Sequence, residues 1–459
     1  MEYPLIFKPC LPLTPVGFGE RVVDMYRGRL FYMADTKTWL HWNGNKFQQC
    51  GEEILMKLVK NCIENLPLEL RKNQLGKANN KIITQNDLIN AAEINLATGK
   101  MKETIKILST IDGVIAANED FDTNPTEINC KNGVLDMLTG EIRASDPSNL
   151  VKQAISVNYN QLATCNTFDQ FVLDICNNDK ELVHYLHVFS GYLFTGLTTE
   201  QKMFVFYGLG ANGKSLLISV LLNIAGDYGM STPGSTLLAG RAGAMRNDYA
   251  RLVNSRIVAA TETNRGHRFD EAGVKMLTGE DRIVSRKLYR EFFEYAPKFK
   301  VVLSVNNLPR IFGNDKGIKR RICIIPLTRT FENLDCNKNL KQKLLLEAEG
   351  IFAWIIQGAG IYLENGLPEC KTVAEATTKY LDEMDEIQNF LTDCCKVDLQ
   401  YPNKKIPVAA LYSKYQSWAK INGIDPVGKY IFGDSIKAKG LTQVKSGGVR
   451  YWHGISIGI

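Results

Sequence analysis

Apolar and polar positions in the first third of the chain follow two different periods, which predicts a mixed α/β region. Residues 30–33 and 39–42 are short runs of large apolar side chains around turn residues, and they predict two strands. From Glu52 to about Leu108, apolar side chains recur every three or four positions, which predicts helices. Residues 132–141 predict a small hairpin.

In the middle of the chain the pattern changes to apolar strands that alternate with helical segments. Residues 168–193 predict an amphipathic helix, and 341–364 predict another. Between them, strands are predicted at 203–207, 256–260, 300–305 and 322–326, with helices after Ser215 and around 272–277. This alternation predicts a parallel sheet with crossover helices.

Four regions are expected from these patterns. They are an α+β domain at 1–160, an α/β domain with a preceding helical segment at 161–365, a polar linker helix at 366–390, and a small C-terminal unit at 391–459. The C-terminal unit has two helical segments followed by a basic hairpin that turns at two glycines. Two helices and such a hairpin are typical of a winged helix.

Composition narrows the class of protein only a little. The 459 residues are 45% apolar and 23% charged, which is typical of folded proteins and excludes wholesale disorder. The net charge of +6 permits nucleic-acid binding without establishing it. The 11 cysteines are scattered without a C-x-x-C ladder, so neither zinc nor a disulfide framework is expected. With no signal peptide and no apolar run of about 20 residues, we expect a cytoplasmic protein without a membrane.

Residues 208–215 fit G-x-x-x-x-G-K-[ST], the phosphate-binding loop, between an apolar strand and a helix. The motif predicts ATP and Mg²⁺ as ligands: Lys214 would reach the β- and γ-phosphates, and the Ser215 hydroxyl would coordinate Mg²⁺. A glycine-rich turn without a ligand is the alternative. The predicted nucleotide contacts are Gly208, Gly210, Ala211, Asn212, Gly213, Lys214, Ser215 and Leu216.

Three further positions follow apolar strands and carry polar side chains that suit phosphate chemistry. Glu262 ends the strand at 256–260 and could hold the metal or orient the attacking water; a surface glutamate is the alternative. Asn306 could hydrogen-bond the γ-phosphate or the water, although alone it would be an ordinary turn residue. Arg320 and Arg321 precede the strand at 322–326 and could act on a nucleotide held by an adjacent subunit, or form a solvated basic turn.

Two basic features suit contact with DNA phosphates. Residues 282–295 predict a β-hairpin whose tip carries Arg286, Lys287, Tyr289 and Arg290. A charged hairpin in solvent is the alternative. In the C-terminal unit, the candidate duplex contacts are Lys437 and Lys439 on the second helix and Lys445 and Arg450 on the hairpin. A unit that only packs against protein is the alternative there.

The order and spacing of these motifs resemble superfamily 3 helicases, and more narrowly the helicase part of phage, plasmid and poxvirus primase–helicases. The resemblance rests on the loop at 208–215, the strand that ends at Glu262, K-x-L-T-G-x-D at 275–281, and V-N-N-L-P at 305–309. It covers residue 120 to the end.

The resemblance implies an AAA+ ATPase core that assembles as a ring, usually a hexamer, around single-stranded DNA and moves 3′ to 5′. It implies that the hairpin at 282–295 lines the ring channel and that the C-terminal unit is a winged helix. It assigns Lys214 and Ser215 to nucleotide and Mg²⁺, Glu262 to catalysis and Asn306 to sensing. Arg321 is the first choice for an arginine finger and Arg320 the alternative.

Two departures qualify the resemblance. Many relatives carry two consecutive acids in the second motif, whereas here Thr261 precedes Glu262. Relatives often carry a primase in front, but the N-terminal part has only His41 and an acidic run at 119–122, so a separate primase or initiator protein is expected. The N-terminal domain could grip DNA, recruit that primase or mediate assembly.

Three functions remain open at this point. The first is a ring-forming replicative DNA helicase of a phage, plasmid or other mobile element. The second is an ATP-dependent initiator or helicase loader that binds and melts an origin without processive unwinding. The third is a nucleotide-gated DNA-binding scaffold with negligible turnover.

Overall fold

The computed structural model describes residues 11–68, 77–78, 81–82, 84–237, 247–262, 268–286, 292–311, 316–331, 339–398 and 404–458, of which 77–78, 81–82, 247–248, 262 and 316 are described by their backbone only. Within these ranges the chain forms two units. The first comprises Met1–Ala163 with Ile224–Tyr228, and the second comprises Thr164–Asn223 with Gly229–Ile459. The sequence patterns placed the end of the N-terminal domain at residue 160.

The first unit is an α+β unit, as the mixed periods of the sequence predict. Its elements are α1 (Pro15–Met25), β1 (Leu30–Met33), β2 (Thr38–Trp42), β3 (Phe47–Cys50), α2 (Glu52–Glu64), β4 (Lys77–Ala78), β5 (Lys81–Ile82), α3 (Gln85–Asn95), α4 (Thr98–Leu108), β6 (Ile115–Ala116), β7 (Glu127–Cys130), β8 (Gly133–Asp136) and β9 (Ile142–Arg143). One sheet has the order β3-β2-β1-β6 and another has the order β7-β8-β9. The expected hairpin at 132–141 corresponds to β8 and β9, which pair antiparallel.

The second unit is built on a five-stranded parallel sheet. Its strands are β10 (Met203–Tyr207), β11 (Gly229–Pro233), β12 (Ile257–Glu262), β15 (Lys300–Val305) and β16 (Ile322–Pro326), in the order β11-β12-β15-β10-β16. All neighbouring pairs are parallel, which confirms the prediction from the alternation. Strand β11 lies at one edge, and its polar sequence GMSTP gave no signal of a buried strand. The hairpin β13 (Ile283–Arg286) and β14 (Phe292–Tyr295) pairs antiparallel, as expected.

Helices of the second unit cover the sheet and continue into the C-terminal part. They are α5 (Asn166–Ile175), α6 (Lys180–Phe194), α7 (Lys214–Ala225), α8 (Glu271–Thr278), α9 (Lys316–Lys319), α10 (Leu340–Leu346), α11 (Ala348–Asn365) and α12 (Lys371–Glu383). Among the helices in the described ranges, no single one is long and apolar enough to span a membrane. In the described part of the chain, one pair of helices, α10 and α11, reaches that length and apolarity together, with a bend of 71° between them.

Two segments expected as single helices are each broken in two. The segment at 168–193 breaks where Asn177 and Asn178 take positive φ angles of 53° and 61°. The segment at 341–364 breaks at Glu347, whose carboxylate accepts hydrogen bonds from the backbone N–H groups of Thr167 and Phe168 at 3.1 Å. That carboxylate satisfies donors at the start of α5, so the break in one helix stabilises the beginning of another.

The C-terminal residues pack around their own aromatic core. Their elements are α13 (Glu386–Cys394), β17 (Cys395–Val397), β18 (Lys405–Pro407), α14 (Val408–Ile421), α15 (Lys429–Ala438), β19 (Gln443–Ser446), β20 (Val449–His453) and β21 (Ile455–Ile457). Phe390, Tyr415 and Trp452 are fully buried in this core. The β19–β20 hairpin turns through Gly447 and Gly448, whose φ angles of 57° and 80° suit glycine.

Candidate nucleotide-binding site and basic surfaces

Three strands that carry predicted site residues end side by side at the carboxyl end of the parallel sheet. Val305, the last residue of β15, pairs with Tyr207 on one side and with Glu262 on the other. Tyr207 leads directly into the phosphate-binding loop, and Asn306 follows Val305. Because the strands are parallel, the loop, Asn306 and Glu262 lie at the same end of the sheet, and Asn306 follows the middle of the three strands. The side chain of Glu262 lies outside the described residues.

The loop itself turns sharply through three residues with positive φ angles, of which two are glycines. Gly210, Ala211 and Gly213 take φ angles of 117°, 48° and 81°. A Cβ atom on Gly213 would lie 2.5 Å from Cγ2 of Ile175, and one on Gly208 would lie 2.2 Å from the carbonyl oxygen of Leu327. Glycine is therefore required at both motif positions by close packing, and at Gly213 by the backbone angle as well.

Lys214 begins helix α7 and points its ammonium back into the loop. Only 5% of the residue is exposed, and Nζ donates hydrogen bonds of 2.7 Å to the carbonyl oxygen of Gly208 and to Oδ1 of Asn212. Burial lowers the pKa of Lys214. Asn212 Oδ1 also accepts a bond of 2.8 Å from the backbone N–H of Gly210. A buried cation framed by loop dipoles is suited to an anionic ligand.

The residues present fit a nucleotide with its metal ion. The exposed Ser215 lies in the first turn of α7, where free backbone N–H groups and the helix dipole favour a phosphate. Its hydroxyl is an oxygen donor of the kind that Mg²⁺ prefers. Lys214 and Ser215 would hold the phosphates and the metal, and Leu216 continues the helix behind them.

A segment after β16 supports the back of the loop, and the sequence gave no signal of it. Leu327 donates its N–H to the carbonyl of Tyr207 at 2.8 Å, and Phe331 donates to the carbonyl of Ala211 at 2.9 Å. The Arg329 guanidinium lies 2.9 Å from a carboxylate oxygen of Asp174 and 4.9 Å from the Phe331 ring centroid. The Asn212 amide donates to the carbonyl of Arg329 at 3.3 Å. These contacts brace the loop from α5 and from the end of β16.

Arg320 and Arg321 lie at the amino end of the strands, whereas Lys214 lies at the carboxyl end. Ile322, directly after Arg321, pairs with Met203 at the start of β10, whereas the loop follows the end of β10. Five residues of strand span about 16 Å, so neither arginine is near the loop of its own subunit. Arg320 is exposed. Arg321 is partly buried, and its Nη1 donates to the carbonyl of Gly317 at 2.9 Å.

The hairpin β13–β14 presents one of the four predicted tip residues within the described ranges. Arg286 pairs in register with Phe292, and its guanidinium carbon lies 5.0 Å from the Phe292 ring centroid. Phe292 is 57% exposed, so an aromatic face and a cation share the solvent side of the hairpin. Lys287, Tyr289 and Arg290 lie outside the described residues.

The four basic positions predicted in the C-terminal unit differ in their surroundings. Lys445 and Arg450 face each other across the exposed β19–β20 hairpin. Lys437 is exposed and pairs with Asp434 at 3.2 Å. The Lys439 side chain is only 15% exposed, and its ammonium lies 2.9 Å from a carboxylate oxygen of Asp385. A DNA phosphate would have to compete with that carboxylate for Lys439.

Two segments match known protein families. Residues 19–177 match the family described as D5 N terminal like, and residues 382–443 match the family described as Poxvirus D5 protein-like. The first match begins within α1 and ends just after α5, and the second contains the three C-terminal helices α13, α14 and α15.

Curated viral proteins are similar at low identity over longer stretches. Putative helicase L207/L206 of Acanthamoeba polyphaga mimivirus is 26% identical over 327 residues, which are 66% of this chain and 34% of the relative. Putative helicase 184R of Invertebrate iridescent virus 6 is 23% identical over 74% of this chain and 39% of its own length. Primase D5 of Fowlpox virus is 22% identical over 69% of this chain and 38% of its own length. The chain thus spans a third to two fifths of the length of these relatives.

Solved structures share the fold over nearly the whole chain. An A-form apo structure of the NrS-1 C-terminal region has a TM-score of 0.51 and 13% identity, and the match covers 96% of this chain and 100% of that one. A second apo structure of this region gives a TM-score of 0.51 at 14% identity. The family matches and the viral relatives support a D5-like primase–helicase family.

Proposed function

We propose that this chain is an ATP-dependent, ring-forming DNA helicase that serves replication of a virus or another mobile element. The observation that carries the proposal is the register of three strands at the carboxyl end of the sheet. Val305, the last residue of β15, pairs with the last residue of β10 and with the last residue of β12. This alignment brings the start of the loop, the residue after β15 and the end of β12 to the same end of the sheet, which supports a shared role for Lys214, Asn306 and Glu262 at one phosphate position. The D5-like primase–helicase likeness supports DNA as the substrate of the motor.

Hydrolysis would divide among the residues at that end of the sheet. Lys214 neutralises charge on the β- and γ-phosphates, and Ser215 contributes an oxygen ligand to Mg²⁺. Glu262 would orient and polarise the attacking water from the end of β12, and its carboxylate could also serve the metal. Asn306, on the strand between them, hydrogen-bonds the γ-phosphate or the water and senses whether the phosphate is present. Mg²⁺ would supply charge neutralisation at the β- and γ-oxygens.

An arginine from a neighbouring subunit would complete the site. Arg320 and Arg321 lie at the opposite end of the strands from the loop of their own subunit, which supports a role at another chain's nucleotide rather than at their own. Such a finger stabilises transition-state charge and is worth about 10³-fold or more in kcat. We therefore propose a homo-oligomeric ring, with six subunits as the expected number, in which Arg321 or Arg320 serves the adjacent site.

The strand order also supports an AAA+ core. The strand that ends in Asn306 lies between the strand of the phosphate loop and the strand that ends in Glu262. A sensing side chain on that middle strand would touch both the phosphate and the catalytic water, which is the requirement of a motor whose conformation follows its nucleotide.

DNA would contact two basic surfaces. In the ring channel, the β13–β14 hairpin would present Arg286 and the tip residues Lys287, Tyr289 and Arg290 to the backbone of a single strand. Cations that bind phosphates without reading bases suit 3′ to 5′ movement over any sequence. The C-terminal unit, as a winged helix, would bind duplex DNA through Lys437, Lys445 and Arg450, with Lys439 beside them. A primase or initiator protein is the expected further partner.

Unwinding of a forked duplex tests the proposal. The chain should unwind DNA in the presence of ATP and Mg²⁺, and Lys214→Ala should reduce both ATP hydrolysis and unwinding by at least about 100-fold, since a transition-state cation is removed. Lys371→Ala is a matched control, because Lys371 is an exposed lysine whose side chain is 78% exposed. Robust unwinding by Lys214→Ala would overturn the assigned site.

A second candidate is an initiator or loader that melts an origin without processive unwinding, and the exposed pair Lys445 and Arg450 on the C-terminal hairpin favours it. A series of forks with increasing duplex length separates the two functions. A helicase continues to unwind long duplexes, whereas a loader opens only short ones. DNA-stimulated ATP hydrolysis excludes a scaffold without turnover.

A further inference from the structure

One carboxylate connects the C-terminal residues with the basic turn of the ATPase sheet. Asp385 lies immediately before α13, and its Oδ1 accepts a hydrogen bond of 3.0 Å from the backbone N–H of Gln388. Only 17% of its side chain is exposed. The residue thus ends the linker and caps the first helix of the C-terminal unit.

Asp385 bridges two lysines that belong to different parts of the second unit. Its Oδ2 lies 2.9 Å from the Lys439 ammonium, after α15, and 3.8 Å from the Lys319 ammonium, in α9. The Lys439 ammonium also donates to Oε1 of Gln388 at 2.9 Å. Lys319 lies one residue before Arg320 and two before Arg321. The bridge therefore reaches the turn that carries the proposed arginine finger.

The surroundings of Asp385 stabilise its charged form. Burial alone would raise the pKa of this carboxyl, but hydrogen bonds from Lys439 and Gln388 and the two lysine charges hold it below its ordinary value. A charged carboxylate between two ammonium groups screens their mutual repulsion, which the neutral form would leave uncompensated.

The sheet also restrains the turn at Lys319–Arg321, because Arg321 donates its N–H to the carbonyl of Ile318 at 3.0 Å and its own carbonyl accepts a hydrogen bond of 2.6 Å from the N–H of Met203. Ile318 is fully buried and anchors α9 in the core of the sheet, and Arg321 Nη1 donates to the carbonyl of Gly317. Arg320 is exposed. The ion pair with Asp385 thus adds a restraint from outside the sheet to a turn that must hold an arginine in a fixed direction.

The linker also contacts the segment that follows the sensing residue. Tyr380, in α12 five residues before Asp385, is fully buried, and its hydroxyl donates to the carbonyl of Pro309 at 2.5 Å. Pro309 lies three residues after Asn306. The same linker therefore touches both the sensor segment and the arginine turn.

We propose that Asp385 is a positioning residue that fixes the Lys319–Arg321 turn, and that Lys439 holds Asp385 in place for this task. The inference rests on the proposed function, because it requires an arginine that acts on a neighbouring nucleotide. It gives Lys439 a role in the joint between the sheet and the C-terminal unit.

The first test separates positioning from nucleotide binding. Asp385→Asn keeps the size of the side chain and removes its charge. We expect kcat for ATP hydrolysis to fall by about 100-fold, the effect of a displaced catalytic group, while the affinity for ATP stays unchanged. Lys439→Met leaves Asp385 with Lys319 and should lower kcat less. Asp382→Asn, an exposed aspartate of the same linker, is the control.

Mixing variants provides a readout that a general structural defect would not produce. Subunits with Asp385→Asn retain an intact loop, and subunits with Lys214→Ala retain an intact arginine turn. Mixed rings should therefore recover ATP hydrolysis that neither variant shows alone. Arg321→Ala and Arg320→Ala, each mixed with Lys214→Ala, report on the finger itself.

The outcomes distinguish the inference from the proposed function. If ATP hydrolysis recovers when Lys214→Ala is mixed with Asp385→Asn and also when it is mixed with an arginine variant, the result supports both the positioning role and the trans-acting arginine. Recovery with an arginine variant but not with Asp385→Asn overturns the positioning role and leaves the trans-acting arginine standing. If no mixture recovers, the trans-acting arginine is wrong and the positioning role falls with it. An Asp385→Asn chain that no longer binds ATP also contradicts the inference.

Discussion

The side-chain oxygen of Asn212 lies 2.7 Å from the ammonium of Lys214, two residues away in the phosphate loop. The same oxygen accepts the N–H of Gly210, so one side chain organises both the loop backbone and its cation. Asn212→Ala should raise the KM for ATP by about tenfold, because about 1–1.5 kcal/mol of hydrogen bonding is lost, with a smaller effect on kcat. Steady-state ATP hydrolysis measures this.

Asn212→Asp is the sharper variant at this position. A carboxylate there would pair with Lys214 and repel the phosphates, so the affinity for ATP should fall further than in Asn212→Ala. Asn365→Ala, at an exposed position on α11, is the control and should leave KM unchanged. Equal affinities of the Asp and Ala variants would mean that Asn212 does not face the phosphates.

Gly213 combines a steric and a backbone requirement, and the two can be separated. Gly213→Ala places a Cβ 2.5 Å from Ile175 at a φ of 81° and should destabilise the protein by about 2–4 kcal/mol. Gly423→Ala has a similar φ of 66° with nothing within 4 Å of its Cβ, and should cost only about 1 kcal/mol. Thermal unfolding should show the larger drop for Gly213→Ala, and equal drops would refute the packing argument.

The buried Lys300 should impose a pH dependence on stability. It is 2% exposed, its Nζ donates to the carbonyl of Thr195, and it lies 5.0 Å from the Tyr192 ring centroid. Burial, and then the charge of Arg256, hold the pKa of Lys300 well below 10.5. In the range between the folded and unfolded pKa values, the unfolded state binds more protons, so the free energy of unfolding rises with pH.

Lys300→Met should remove this rise. Denaturant midpoints of the native and variant proteins, measured at several pH values from 7 to 10, give the two slopes. Lys371→Met, at a surface lysine, should keep the native slope. An unchanged slope in Lys300→Met would show that this lysine does not titrate differently on folding.

Much of the fold follows from local patterns, whereas the contacts that hold the site do not. The parallel sheet, the β13–β14 hairpin and the loop at 208–215 each have a periodic or motif signal within a short stretch. The Arg329–Asp174 pair joins residues 155 positions apart, and the break at Glu347 depends on donors in α5. Such partners share no local pattern, so the sequence alone carries no signal of these pairs.

The same reason explains why Asp385 was not anticipated. Its segment, at 366–390, was expected to be a polar linker helix. The structure shows that one of these charges is largely buried between Lys319 and Lys439, which are 66 and 54 residues away in sequence. Composition describes the average exposure of such a segment, whereas the fold decides which of its charges acquires partners.

Arg321 and Arg320 can be ranked by kinetics. If Arg321 is the finger, Arg321→Ala should lower kcat by about 10³-fold with little change in ATP affinity, while Arg320→Ala has a modest effect. The reverse ranking would assign the role to the more exposed Arg320. Single-turnover hydrolysis at saturating ATP measures the step directly, and ATP binding to each variant shows whether the loop is intact.

The C-terminal unit offers a comparison between free and engaged lysines in DNA binding. Lys445 is exposed on the β19–β20 hairpin, whereas Lys439 already pairs with Asp385 at 2.9 Å. Each lysine that neutralises a phosphate contributes about one unit to the slope of log affinity against log salt. Lys445→Gln should reduce that slope for duplex DNA by about one, and Arg450→Gln should do the same. Lys439→Gln should leave the slope unchanged, because its ammonium is held by a carboxylate; a reduced slope would mean that DNA displaces Asp385.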